Sequence, residues 1–212
     1  MFERQHEIFY YITVGNENYV MPAMPDGAED GIVRGIYKFR RGEGKRNWPR
    51  VHLFGSGAIL NEALRAQEIL AERFKVSAEV WSVTSYQQLR REALIIDRWN
   101  RLHPTQRPRK PYFVKQLDGE PYPIVAASDY VKLVADQVTP WAPAGLTALG
   151  TDGFGRSEAR TELRRFYEVD AESITVAALH ALSRRGELDP HVIEKALCDF
   201  AVNPERPDPA RS

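Results

Sequence analysis

The sequence predicts an α/β fold, a three-layer α/β/α arrangement around a mostly parallel sheet of about five strands with one antiparallel edge strand. Short apolar, β-rich runs alternate with stretches whose apolar residues recur at helical spacing. Capping signals and glycines punctuate most changes of pattern. The 212 residues are 43% hydrophobic and 27% charged, enough for one large domain with attachments.

The first apolar run, residues 8–14, reads as a strand. A polar knot of Asn16, Glu17, Asn18 and Tyr19 follows, then Met21-Pro22 and Met24-Pro25. Each proline fixes its own φ and pushes the preceding residue towards extended backbone, giving a stiff connector. That strand has no sheet neighbour close in sequence. Residues 1–25 are therefore read as the last strand and connector of a domain outside this sequence, and 26–202 as the domain proper.

Asp26 and Glu29 have capping-box spacing, so a short helix is expected there, giving way to a strand at 35–40. A loop leads to a second strand at 51–54; with no helix between them, the first is expected to pair antiparallel at an edge. Gly55-Ser56-Gly57 turns into a helix whose one side carries Ile59, Leu60, Ala63, Leu64, Ile69, Leu70 and Phe74. A strand at 78–83 precedes a second capping box, Ser85 to Gln88, opening a helix that runs to residue 99 or 102.

Residues 103–123 are irregular and proline-rich, with a turn of helix near 113–117. Strands at 124–127 and 146–149 flank a helix capped by Ser128 or Asp129. Ser157 reads as the next cap, with Glu158 favoured in the first turn. Asp170 caps the penultimate helix, which ends at Arg184, Arg185 and Gly186. Asp189 and Pro190 open the last one. The proline-rich tail, 203–212, is expected to be disordered.

The 29 basic residues balance the 29 acidic ones, so net charge offers no argument for a nucleic-acid partner. Basic runs at 34–50 and 98–110 read as solvated loops or subunit contacts. Cys198 is the only cysteine, which fits a reducing, cytoplasmic setting. No apolar run is long enough for a membrane span. The histidines share no metal-site spacing, and no Walker loop or nucleophile elbow occurs.

Two strand ends look ligand-like. Gly55-Ser56-Gly57 lacks the third glycine of a dinucleotide fingerprint, since Leu60 stands in its place, and reads as a structural turn. The loop Gly150-Thr151-Asp152-Gly153-Phe154-Gly155-Arg156-Ser157 implies close backbone approach or positive φ. One reading pairs Asp152 with Arg156 and anchors the loop by Phe154. Another has Arg156 and helix N–H groups holding an anion. A rigid subunit contact explains the loop as well as a ligand does.

Asn16-Glu17-Asn18-Tyr19, the Met-Pro repeat at 21–25, Arg98-Trp99-Asn100 with Leu102-His103-Pro104, Ser128-Asp129-Tyr130 and the loop 150–157 together carry a resemblance. Nearly the whole chain resembles the carboxy-terminal part of the homodimeric, bacterial-type pyruvate dehydrogenases. More distantly it is similar to the carboxy-terminal domains of transketolases. The resemblance implies a three-domain thiamine diphosphate enzyme that decarboxylates pyruvate and passes the acetyl unit to a lipoyl group. The cofactor and magnesium would sit on the first domain and the activating glutamate on the second. The third, similar to this chain, builds the dimer and braces the others.

By that resemblance the chain alone is catalytically silent and binds no cofactor. The family's Gly-Asp-Gly magnesium motif is absent, and after Gly153 the next asparagine is Asn203. Implied partners are the remaining domains, a second subunit and the lipoyl acyltransferase component. No arginine stands at 13–16, where transketolases grip a sugar phosphate, which suits an unphosphorylated acid such as pyruvate. Asn16, Glu17, Asn18, Tyr19, Asp152, Phe154 and Arg156 are candidates for the active-site approach or an interface; the connector residues equally fit a role tying connector to domain. The rival reading is a free-standing α/β module binding an anion or nucleotide.

Overall fold

The computed structural model describes residues 3–9, 11–12, 14, 17–20 and 22–211. Tyr10, Thr13, Gly15, Asn16 and Met21, on which parts of the connector reading fall, lie outside the described residues. The sheet consists of β1 (Ile36–Arg40), β2 (Arg50–Gly55), β3 (Ser77–Val83), β4 (Ile124–Ala127) and β5 (Leu146–Leu149), in the order β1-β3-β2-β4-β5. β1 is the antiparallel edge strand, and the other pairings are parallel. The loop-only connection after β1 leads to no hairpin, because β3 inserts between β1 and β2.

Side-chain alternation along each strand divides the core into two layers. Val51, Leu53, Ala78, Val80, Val125 and Ala127 face one layer, with α2 (Leu60–Ile69) and α7 (Ala171–Arg184). Phe54, Trp81, Val83, Ile124 and Ala126 face the other, with α3 (Tyr86–Leu102), α4 (Tyr112–Gln116) and α5 (Leu133–Asp136). Both faces are covered, as a parallel sheet requires. On the first layer Ala63 and Ala66 of α2 are fully buried, as are Ala171 and Ala178 of α7. These small side chains let the two helices approach closely, while Leu179 and Leu182 fill the space towards the strands. Each such leucine contributes about 1.5–3 kcal/mol by leaving water.

Local signals explain most boundaries. Ser85 and Asp170 accept hydrogen bonds from Gln88 N and Ser173 N as N-caps of α3 and α7. Asp189 caps α8 (Pro190–Asp199), accepting from His191 N. Other caps fail. α1 (Glu29–Arg34) starts from Ala28 with no side-chain cap, because Gly27, at φ 74°, turns Asp26 out of the cap position. α6 (Arg160–Phe166) starts from Ala159 rather than Ser157, and Glu158 folds back onto Ala159 N. Ser128 and Asp129 cap no helix: Ser128 Oγ accepts from Tyr130 N in a tight turn, and α5 begins only after Lys132.

Within the second layer lies a buried polar group. Trp81 Nε1–H donates to His52 Nδ1 at 3.0 Å, so the His52 proton sits on Nε2, which lies 3.0 Å from the Glu120 carbonyl. Lys38 bridges Glu79 and Glu120 alongside. Among the described residues of 8–14 there is no strand, and Phe9, Tyr11 and Val14 are 86%, 89% and 86% exposed. The tail, whose composition argues for disorder, makes specific contacts here: Arg206 pairs with Glu168 at 2.6 Å, and Pro209–Arg211 form a 3-10 turn.

Candidate functional site

The carboxyl ends of β4 and β5 lead into the residues singled out by sequence. The end of β2 holds Gly55, where a Cβ would lie 2.7 Å from Leu60 Cα, so the glycine serves close strand–helix packing. Gly150, after β5, has the same role: a Cβ there would collide with the Tyr130 carbonyl oxygen. Thr151 N then donates to Tyr130 O at 2.9 Å, and the Thr151 hydroxyl donates to Asp129 O. The glycine-rich loop is thus bound to the turn after β4.

Asp152 does not pair with Arg156. Its carboxylate accepts from Lys132 N at 3.0 Å and lies 3.9 Å from Lys132 Nζ. Arg156 instead stacks over the Phe166 ring at 4.3 Å. Phe154 does not anchor the loop through its ring, which is 94% exposed; its carbonyl does, accepting from the Tyr167 hydroxyl. Hydrogen bonds made by Thr151, the Asp152 carboxylate and the Phe154 carbonyl fix the loop, and the Phe154 ring faces outward.

Beneath this loop α6 presents Arg160 and Arg164, one turn apart, towards α2. Glu62 of α2, nearly buried, accepts from Arg164 Nη1 at 3.1 Å, from Arg65 Nη1 at 3.3 Å and from the first amide of α7, Ala171 N, at 3.2 Å. One carboxylate therefore joins three helices. Arg164 Nη2 donates to the Tyr19 hydroxyl at 2.9 Å, which donates to Glu17 Oε2 at 2.9 Å. Arg160 Nε lies 3.2 Å from the same Glu17 oxygen. Burial and the hydrogen bond to Glu17 push the Tyr19 phenol up, against the pull of both arginines. Burial likewise raises the Asp129 carboxyl, again opposed by Arg164 and Arg160.

A cavity of about 330 Å³ lies here, lined among others by Asp129, Thr151, Arg156, Arg160, Arg164 and Tyr167. Of the sequence candidates, Glu17 and Tyr19 gather at this cluster and Arg156 lines the cavity. Asp152 faces Lys132 instead, Asn18 is exposed, and Asn16 lies outside the described residues. Sequence reasoning missed Glu62, Asp129 as a lining group, Arg160 and Arg164. The four-residue spacing of Arg160 and Arg164, one helical turn, was the available signal; Arg156 lies in the loop before α6.

Chemically the cluster is a nearly balanced ion network. Arg156, Arg160 and Arg164 stand against Glu17, Glu62 and Asp129. Among the described residues no group of three or more His, Cys, Asp or Glu side chains is placed to hold a metal ion. The geometry fits holding elements together.

Comparison with known proteins agrees in extent. Residues 35–170 match the family model of the transketolase-like TK C-terminal domain. The chain is 47% identical over 210 residues to the "Pyruvate dehydrogenase E1 component" of Pseudomonas aeruginosa, covering 99% of this chain and 24% of that protein. The protein of the same name from Escherichia coli K12 is 47% identical over 208 residues, covering 98% of this chain and 23% of the relative. The chain thus spans about a quarter of the length of these relatives. Among solved structures, a transketolase from Pichia stipitis superposes with a TM-score of 0.52 at 15% identity, over 80% of this chain and 21% of that one, a likeness of fold alone. The chain belongs to the transketolase-like C-terminal domain family.

Proposed function

We propose that this chain serves as the carboxy-terminal domain of a thiamine diphosphate-dependent pyruvate dehydrogenase, structural and dimer-forming, and inactive alone. The observation that carries this reading is the 47% identity along 99% of the chain to a protein named pyruvate dehydrogenase E1 component, of which the chain spans 24%. On this reading the whole enzyme decarboxylates pyruvate and passes the acetyl unit to a lipoyl acyltransferase component. It works in the cytoplasm, in keeping with the single, unpaired Cys198 and with no described helix long and apolar enough to cross a membrane.

The site's chemistry supports a bracing role. The residues present do not fit a thiamine diphosphate and magnesium site: Asp152, the carboxylate of the glycine-rich loop, is engaged by Lys132, and no metal-holding set converges among the described residues. The cofactor would be held by other domains. Glu17 and Tyr19, paired with Arg160 and Arg164, would fix the connector's direction relative to this domain. Exposed apolar side chains supply surfaces for the neighbours: Leu94, Ile95 and Leu102 on α3, and Tyr130, Val131, Leu133 and Phe154 near the carboxyl edge.

The test is a chimera in which this chain replaces the matching quarter of the Pseudomonas relative. Pyruvate oxidation with lipoyl acceptor should be retained by the chimera and absent from the chain alone. Heat of binding when thiamine diphosphate and magnesium are titrated into the isolated chain would contradict this placement of the cofactor.

A further inference from the structure

The basic loop between β1 and β2 takes no part in the network at the carboxyl edge. It borders a groove of about 460 Å³ at the opposite, amino-terminal edge of the sheet, lined by Arg46, Trp48, Pro49, Arg50, Tyr122 and Glu187. Trp48 is held in place by the loop itself: its ring fills the space beside Gly44, where a Cβ would clash, and its amide donates to Lys45 O at 3.0 Å. Lys75 Nζ lies 5.7 Å from the Trp48 ring centre, and the Arg50 guanidinium 5.8 Å from that of Tyr122. The floor is therefore aromatic and the walls cationic.

Arg41, Lys45 and Arg46 form no ion pair with the described residues, although acidic and basic residues balance over the whole chain. Of these Arg46 lines the groove and keeps its charge available to a ligand; the other lining cation, Arg50, lies 3.9 Å from a Glu79 carboxylate oxygen. A nucleic-acid backbone fits poorly, because the lining sets Glu187 against only two cations, Arg46 and Arg50, whereas backbone binding rests on neutralising several successive phosphates. A small phosphate also fits poorly: no buried polar side-chain atom lacking a partner lines the groove. An extended chain with alternating carboxylates and an apolar side chain matches both features, as charged rims around an aromatic centre do at protein interfaces.

We propose that this groove binds an acidic, extended polypeptide segment. An apolar or aromatic residue of that segment seats against Trp48 and Tyr122, and its carboxylates meet Arg46 and Arg50 of the lining, with Lys45 next to Arg46 in the same loop.

Fluorescence anisotropy of a short labelled peptide of Asp and Glu around a central Phe, titrated with the 212-residue chain, tests this. Saturable binding is expected, weakening about tenfold as salt rises from about 50 to about 300 mM. The double variant Lys45→Glu with Arg46→Glu should bind at least about tenfold more weakly with an unchanged melting temperature, as neither side chain has a folded-state ion-pair partner. Peptide binding should also shift the emission of Trp48, a change lost in Trp48→Phe. Absence of binding, or equal binding by the double variant, overturns the proposal. So does equal or tighter binding of inorganic phosphate, a single-stranded oligonucleotide or anionic phospholipid vesicles.

Discussion

Arg164 on α6 meets Glu62 on α2 at 3.1 Å, with 13% and 9% of the two side chains left to solvent. The pair links Tyr19 to α2 and α7, since Arg164 also donates to the Tyr19 hydroxyl while Glu62 also accepts from the first amide of α7. Burying two charges gains little over an apolar pair of the same shape, but removing one partner strands the other. Arg164→Ala should therefore lower unfolding stability by about 3 kcal/mol, read by urea titration. The double variant Glu62→Met with Arg164→Met should recover most of that loss. If both lose equally, the network does more than satisfy itself.

The central strands β2, β3 and β4 were legible because both their faces are buried, so each reads as a short, mostly apolar block bounded by turn residues. The Glu62–Arg164 network was not, because its members lie 102 residues apart and only the packing of α6 on α2 joins them. Asp152 shows the same limit. Its composition-based partner, Arg156, was the neighbour in sequence, whereas the turn after β4 brings Lys132 closer. The antiparallel edge strand followed from a missing helix, but its pairing with β3 depends on strand order, which no local pattern encodes.

Two capping boxes with the same spacing should behave differently. Ser85 accepts from Gln88 N at 3.1 Å, so Ser85→Ala should cost about 1 kcal/mol, visible as a lower melting temperature. Asp26 caps nothing, so Asp26→Ala should leave the melting temperature within error. A loss at Asp26 equal to that at Ser85 would contradict the cap assignment.

His52 makes stability depend on pH. Its imidazole is buried and neutral, and burial holds its pKa below the ordinary 6.5 against the upward pull of the Glu120 carbonyl. The unfolded chain therefore takes up the proton first. Stability should be flat for this group above 6.5 and fall as pH drops through 6.5 towards the lower folded-state value. His52→Gln keeps an acceptor for Trp81 Nε1–H and removes the titration. It should be less stable at pH 8 but show a shallower decline below 6.5, by about one proton, in denaturant titrations across pH. An unchanged slope would place the pH dependence elsewhere.

The outer face of α3 carries Leu94, Ile95 and Leu102 at 42%, 63% and 55% exposure, with Arg91, Arg98 and Arg101 among them. Leu89 and Ala93, on the opposite face, are buried, Leu89 within the second core layer. Replacing Leu94 and Ile95 with serine removes no core contact, so the melting temperature of the chain alone should hold. Solubility should rise, because an apolar stripe no longer faces water. If the stripe meets another domain or subunit, the same pair of substitutions in the chimeric enzyme should weaken assembly, since buried apolar side chains dominate such contacts. Sedimentation of the chimera against protein concentration measures this. A dimer as tight as before, with full activity, would leave the stripe without a partner and direct attention to Tyr130, Val131, Leu133 and Phe154 as the assembling surface.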